Sequence, residues 1–422
     1  MHLSENIATE LKNWKTVVRA CCAFVFCLVM VFTILSPAVV SAAQLETPKS
    51  NQQPNGEYLL DKVITWNDGN TEQVQIGKDG FFRLSGVKQK LVGMCLNLIY
   101  DGVGPGFFYK PENQAILKKE LDYMESIGVR LIRIDLNYVR YGDISEINQE
   151  EKVYKSILDL IYQHKMLLVA EIIGKGMPGF NNLENPDFSW KLNIYGGPGT
   201  GTDSMLAWVA RWAGIVGSYQ NVVAVVADNE LDYKYKASDI SYIPNAQSEN
   251  YTPEAVDRYM TLLTGILRQK INAPLTHNLM PNRTEPEIKR VCLSKIDIPS
   301  FDFYAETLSS LDTNLSDFLP WIGVSSGWWC MELNHMYVAR SAIDVEGFKS
   351  SLIDSVFNHG AAVAILFWSN YYVNSNESFF DNDGNPKAQL VEVGCAISRL
   401  QAPISEMVTV AKTLKSNLDN NY

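Results

Sequence analysis

The sequence predicts an α/β fold in which eight parallel strands close into a (β/α)8 barrel, preceded by a short N-terminal β lead-in. Three observations predict it. From residue 91 onward, short apolar stretches alternate with amphipathic ones, the rhythm of a parallel sheet whose strands are joined by helices. Eight such strands fit into the roughly 310 residues that follow, a size suited to one barrel. No Gly-x-Gly-x-x-Gly follows the first strand, which argues against a doubly wound dinucleotide-binding sheet.

The lead-in comprises strand-like stretches at Tyr58–Thr65, Gln73–Ile76 and Phe81–Leu84, separated by Asn67-Asp68-Gly69-Asn70 and Lys78-Asp79-Gly80, which is turn chemistry. The barrel strands are expected at Leu91–Leu96, Leu131–Leu136, Met166–Ile172, Val222–Ala227, Leu275–Leu279, Ile296–Phe303, Trp328–Met331 and Ala361–Trp368. Helices are expected at Asn113–Ile127, Glu151–His164, Ser204–Ser218, Thr252–Lys270 and Val345–His359, with a closing helix from Pro386. In Asn113–Ile127 the residues Leu117, Leu121 and Met124 share one face, the spacing of a helix that buries a single stripe.

Residues 1–43 read as an export segment. Lys12, Lys15 and Arg19 precede the apolar run that starts at Ala20, and Val40-Ser41-Ala42-Ala43 supplies small residues for a peptidase. The run is also long enough to cross a bilayer, so a cleaved signal peptide and an N-terminal membrane anchor are both open. In either case the body is expected to work outside the cytoplasm. The expected organisation is therefore residues 1–43 as signal or anchor, 44–90 as linker and lead-in, 91–405 as catalytic barrel and 406–422 as a C-terminal tail.

The chain of 422 residues is 46% hydrophobic and 20% charged, which excludes a disordered polypeptide. Its formal charge of −11, with no basic stripe, argues against nucleic acid as a partner and for a neutral or cationic one. Of seven cysteines, Cys21, Cys22 and Cys27 lie in the export segment. Cys95, Cys292, Cys330 and Cys395 remain in the body, where buried free thiols are expected. The body's histidines are His164, His277, His335 and His359, with no His-x-His or His-Glu-x-x-His spacing, so neither a metal nor a cofactor is expected. Sequons at Asn250, Asn282, Asn314 and Asn376 matter only in a host that glycosylates exported proteins.

In a barrel of this kind chemistry sits at the C-terminal ends of the strands. The fourth barrel strand stops at Asp228-Asn229-Glu230 and the seventh at Glu332. The fifth ends in Thr276-His277-Asn278, the sixth in Asp302-Phe303-Tyr304 and the eighth at Trp368, while Arg133 lies within the second. Two carboxylates facing each other across a barrel mouth are what glycoside hydrolysis requires. One protonates the leaving oxygen, and the other attacks the anomeric carbon or activates water. Taken singly, each residue has a plain structural reading: a helix start for Asn229-Glu230, a buried ion pair for Arg133 and Glu332, a core histidine for His277, packing for Trp368. Their joint occurrence at successive strand ends is what points to chemistry.

With those residues in view, the chain resembles clan A of the glycoside hydrolases and within it looks most like the family 42 β-galactosidases. The similarity runs over about residues 91–400. It is carried by Val222-Val-Ala-Val-Val-Ala-Asp-Asn-Glu230, Pro274-Leu-Thr-His-Asn-Leu-Met280, Ile296-Asp-Ile-Pro-Ser-Phe-Asp-Phe-Tyr304, Trp329-Cys-Met-Glu332, His359-Gly-Ala-Ala-Val-Ala-Ile-Leu-Phe-Trp368 and Phe380-Asp-Asn-Asp-Gly-Asn-Pro386. The resemblance implies a retaining enzyme with Glu230 as acid/base and Glu332 as nucleophile. It implies further that Asn229 binds the sugar 2-hydroxyl, that Tyr304 and Arg133 hold Glu332 ionised, and that Trp368 forms an aromatic floor for the sugar ring. His277, Asn278 and His335 join them as candidate substrate-binding residues.

The chain also departs from family 42. It has Val and Ala where a Trp usually precedes the Asn-Glu pair, Ser369-Asn370-Tyr371-Tyr372 after the final strand, and a chain end soon after the barrel. Its opening, Gly80-Phe-Phe-Arg-Leu-Ser-Gly86 followed by Leu91-Val-Gly-Met-Cys-Leu-Asn97, looks more like the family 5 mannanases and glucanases. An endo-β-mannanase or β-glucanase acting on polysaccharide, with loop aromatics such as Phe180, Phe188, Trp190, Tyr371 and Tyr372 lining extra subsites, is therefore an alternative. A non-catalytic glycan-binding barrel is another. The sugar, the linkage and the oligomeric state are left open; an oligosaccharide or polysaccharide is the expected partner.

Overall fold

The computed structural model describes residues 57–97, 110–135, 144–172, 201–229, 253–281, 286–305, 307–335, 348–368, 379–381 and 383–401. Four short strands come first: β1 (Tyr58–Thr65), β2 (Thr71–Gly77), β3 (Phe82–Leu84) and β4 (Val87–Gln89) form an antiparallel sheet in sequence order. Eight further strands alternate with helices: β5 (Leu91–Asn97), α1 (Pro111–Ser126), β6 (Leu131–Asp135), α2 (Ile144–Gln163), β7 (Leu167–Glu171), α3 (Gly201–Gly217), β8 (Val222–Asn229), α4 (Pro253–Lys270), β9 (Leu275–Leu279), α5 (Pro286–Ser294), β10 (Ile298–Ala305), α6 (Leu308–Ile322), β11 (Trp329–His335), α7 (Phe348–Asn358), β12 (Val363–Trp368) and α8 (Ala388–Gln401). Strands β5 to β12 are all parallel and close on themselves through β12 and β5, which makes the fold a (β/α)8 barrel.

Two helices were not legible as periodic segments. Helix α5 is only nine residues long and opens on Pro286, whose missing N–H costs nothing in the first turn of a helix. Helix α6 is rich in Ser, Thr, Asn and Asp, which reads as loop, yet Leu311, Leu315, Phe318 and Leu319 fall on one face and are buried. A capping box between Thr307 and Ser310 starts it, and Gly323 in the left-handed region stops it. The sixth and seventh barrel strands also run further than expected, to Ala305 and His335, so Tyr304 and Glu332 lie inside strands and not after them. Of the four body cysteines Cys95, Cys292 and Cys330 are buried free thiols, whereas Cys395 is free but exposed on α8.

The strand alternation divides the interior into two cores. Side chains such as Val92, Ile132, Leu168, Leu275 and Leu333 face the helices. Leu131, Leu167, Val169, Val226, Ile298, Trp329, Met331 and Ile365 fill the barrel, where they meet Leu60, Ile64, Val74, Ile76 and Phe82 of the lead-in sheet. The lead-in therefore closes the N-terminal end of the barrel. Phe82 stacks on Trp329 with ring centroids 5.4 Å apart, and Trp329 Nε1 donates to the Gly80 carbonyl at 2.8 Å. Gly80 and Gly327 make that contact possible. Both have positive φ, and a Cβ on Gly80 would fall 1.8 Å from the Gly327 carbonyl oxygen. The opposite end carries the C-terminal strand termini, where chemistry sits in barrels of this fold.

The plug is also tied down by Lys62, whose ammonium donates to the carbonyl of Val222 at the start of β8. Burial pushes the Lys62 pKa down from 10.5 to about 8. A depressed lysine pKa means that the fold penalises the charged form. The penalty is absent above the unfolded value of 10.5, grows as pH falls toward about 8 and is complete below it. Lys62→Met should therefore raise the melting temperature at pH 7 and change it much less near pH 10.5. Melting curves at the two pH values check this, and an equal shift at both would rule out the charge as the cause.

Candidate active site

At the C-terminal end of the barrel the structure gathers a buried ionic cluster around Arg133. Residues 131, 133 and 135 of β6 point inward by strict alternation, so Arg133 and Asp135 sit one above the other on the inner face. Arg133 is fully buried. Its Nη1 donates to Glu332 Oε1 at 2.8 Å and to the Met331 carbonyl at 3.1 Å. Its Nη2 pairs with Asp135 Oδ1 at 3.1 Å and also donates to Glu171 Oε2. The Tyr304 hydroxyl donates to the second oxygen of Glu332, Oε2. Glu332 is thus held at both oxygens by donors that favour its ionised form.

Simple alternation along β11 would not put Glu332 there. Trp329 and Met331 face inward and Cys330 outward, so Glu332 would follow outward and Leu333 inward. Instead Leu333 packs in the outer core, and the register with both neighbouring strands steps by one residue at this point. The extra residue is a β-bulge, a device that re-aims a side chain at a barrel rim. Strand β8 does the same. Val226 pairs with Thr276 but Asn229 pairs with Asn278, three steps against two. The bulge brings Asn229 to Asn278, with Asn278 Nδ2 2.9 Å from Asn229 Oδ1. Turning the Asn278 amide so that its oxygen faces Arg133 lets it accept from Nη1 at 3.1 Å and Nη2 at 2.9 Å, with the Asn229 amide reversed to donate to it. Asn278 then joins β8 to the ionic cluster.

Of the residues expected at the site, Arg133, Tyr304 and Glu332 are in direct contact, and Asn229 and Asn278 adjoin them. His277 is not brought to the cluster: it is buried between Leu275 and Leu279, on the face of β9 opposite Asn278, which the pleat turns toward the helices. His335 and Trp368 are the last residues of β11 and β12. Glu230, the residue after β8, lies outside the described residues.

The sequence reading missed Asp135 and Glu171. Each is the last residue of its strand and points into the barrel, a signal that the apolar run Leu167-Leu-Val-Ala-Glu171 carried openly. Burial pushes the Glu171 pKa well above the ordinary carboxylate range and raises that of Asp135 in the same direction, with neighbouring carboxylates adding to it and Arg133 opposing. Cys95 comes from β5 and its thiol lies 3.7 and 3.8 Å from the two Asp135 oxygens. Burial raises its pKa too, so it stays a neutral donor. Among the described residues no group of His, Cys, Asp and Glu is arranged to hold a metal ion; the cation at the centre of this cluster is a guanidinium.

A parallel (β/α)8 barrel plugged at one end, with a hydrogen-bonded carboxylate and a polar amide pair at the other, defines the class of protein: a barrel with a buried anionic site at the C-terminal ends of its strands. Solved structures of the same fold include an exo-β-1,4-mannosidase from Opitutaceae bacterium strain TAV5, with a TM-score of 0.54 and 16% identity over 77% of this chain and 62% of that one. They also include a cold-adapted β-galactosidase from Rahnella sp. R3, with a TM-score of 0.52 and 13% identity over 74% of this chain and 56% of that one. Both are glycoside hydrolases by name. The chain spans about three fifths of the length of these structures. No protein-family model matches the chain, and no curated protein sequence does.

Proposed function

We propose that the protein is a retaining glycoside hydrolase acting on β-linked sugars, with Glu332 as nucleophile and Glu230 as acid/base. The observation that carries this reading is the treatment of Glu332. A carboxylate only 2% exposed is re-aimed into the barrel by a bulge, then held by Arg133 at one oxygen and Tyr304 at the other. Those contacts favour the ionised form and leave the group aligned for attack on an anomeric carbon. Asn229 ends β8, and in this reading the residue that follows it in the sequence, Glu230, is the acid/base. In the first step Glu332 displaces the leaving group while Glu230 gives it a proton. In the second, water deprotonated by Glu230 releases the sugar from Glu332.

The Asn229 amide would bind a hydroxyl next to the reacting carbon, and Trp368 would supply an apolar platform for the ring. The sugar is a β-galactoside or a β-mannoside, in keeping with the names of the two similar structures. The apolar run of residues 20–43 behind three cationic side chains further supports work outside the cytoplasm.

The test is turnover by the full chain of aryl β-galactoside, β-mannoside, β-glucoside, β-fucoside and β-xyloside, with mannan and β-glucan as polymers. The anomer first released is read by NMR. Release of the β-anomer from one member is the expected result and names the sugar. First release of the α-anomer would reject Glu332 as a nucleophile, and a folded protein inert on the whole panel would reject the hydrolase reading.

A further inference from the structure

Three carboxyl groups contend for one guanidinium. Arg133 serves Glu332 through Nη1, and Asp135 and Glu171 both through Nη2. If all three were ionised, the pocket would hold three negative charges against one positive, with every member buried. Burying an uncompensated charge is strongly unfavourable, and folds avoid it by pairing or by taking up a proton. The backbone places that proton. Asp135 and Glu171 are exact partners in the register of β6 and β7, and one oxygen of each reaches the same guanidinium nitrogen, Arg133 Nη2. Two carboxylates offer only acceptors, so a bond between them needs a hydrogen.

Among the described residues, the other groups around the pair supply no second cation. β5 contributes the Cys95 thiol, a neutral donor to Asp135. The β8 residue in register with Glu171 is Val226. β11 contributes Glu332, another anion, with the Tyr304 hydroxyl of β10 on its far oxygen. Among the described residues no donor reaches Glu171 Oε1, so an ionised Glu171 would keep an anionic oxygen buried and bare.

We infer that Asp135 and Glu171 share a single proton at neutral pH and act as a positioning pair, so that one negative charge of the pair and one of Glu332 are left around Arg133, and Glu332 stays the ionised member. The inference rests on Glu332 being the nucleophile. Glu332 keeps its charge because it has the two best donors, Arg133 Nη1 and the Tyr304 hydroxyl, while the pair has each other. The upward push of burial on both Glu171 and Asp135 agrees with this division. Neither residue need touch the sugar; they set the charge that Arg133 can spare for Glu332.

Two measurements on the full chain test it. Difference infrared spectroscopy between wild type and Glu171→Gln at neutral pH reads the carbonyl stretch of a buried carboxylic acid without any need for turnover. The band should be present in wild type and missing from the variant; its absence from wild type overturns the inference. The second is the pH profile of kcat/KM on the glycoside that the panel identifies, whose acid limb follows Glu332 in the free enzyme. Glu171→Gln and Asp135→Asn each remove the shared proton together with one charge site. Each therefore leaves the net charge, and the acid limb, within a few tenths of a pH unit of wild type. The double variant removes the remaining charge and should move the limb down by about one pH unit. A comparable downward move in either single variant would mean that both groups were ionised and would overturn the inference. Lack of turnover by wild type would instead count against the hydrolase reading, and the infrared band would still decide the pair.

Discussion

Glu332→Gln should lower kcat/KM on the active glycoside by on the order of 10⁴-fold or more, because it removes the nucleophile and keeps almost everything else. The amide has the shape of the carboxylate, and its oxygen can still accept from Arg133 Nη1, now at 2.8 Å from Glu332 Oε1. On the other side the amide nitrogen meets the Tyr304 hydroxyl, which can turn from donor to acceptor. The variant should therefore fold, and with one fewer anion in a crowded pocket its melting temperature should be no lower than that of wild type. Steady-state kinetics beside a thermal melt separate the two effects. A folded variant that keeps activity within about tenfold of wild type would remove Glu332 from the nucleophile's role.

Arg133→Met is expected to be the costliest change to stability, on the order of 4 kcal/mol near neutral pH. Methionine fills the volume but leaves Glu332, Asp135 and Glu171 with no counter-cation in a site that water does not reach. The loss should depend on pH with a definite sign. Without Arg133, which now opposes the upward push on Asp135 and Glu171, the folded-state pKa values of these carboxyl groups move further above their unfolded values. Stability tied to a raised carboxyl pKa is intact below the ordinary carboxylate range and is lost as pH rises through the folded value. The difference between wild type and variant should thus be small near pH 4 and widen toward pH 8. Urea unfolding at both ends of that range measures it. A difference that is flat, or that narrows as pH rises, would mean that Arg133 contributes packing and not charge. Activity should fall as well, since Glu332 would lose the donor that holds one of its oxygens.

Much of this protein could be read before any coordinate. The apolar strand Val222-Val-Ala-Val-Val-Ala227 is short, uninterrupted and followed by helical periodicity, so the parallel barrel follows from burial on both faces. Asn229, Tyr304 and Glu332 stood out because a polar residue that closes an apolar strand is conspicuous. The polar helix α6 was hidden for the opposite reason: its Ser, Thr and Asn residues favour loops locally, and only the burial of Leu311, Leu315 and Phe318 against the barrel makes it a helix.

The site itself divides along the same line. Sequence alone put Arg133 within a barrel strand and Asn229, Tyr304 and Glu332 near the C-terminal ends of others, but it passed over Asp135 and Glu171, which close β6 and β7. It could not determine the faces of Glu332, Asn229 and His277. Glu332 and Asn229 reach the interior only through bulges, which are set by pairing with neighbouring strands far along the chain, and His277 turns away because β9 has none. Nor could it show that Asp135 and Glu171 meet. They lie 36 positions apart and become partners only when β6 and β7 pair in register. Which carboxyl group keeps its charge then depends on burial and on distances to one guanidinium, quantities that arise only once the barrel has closed.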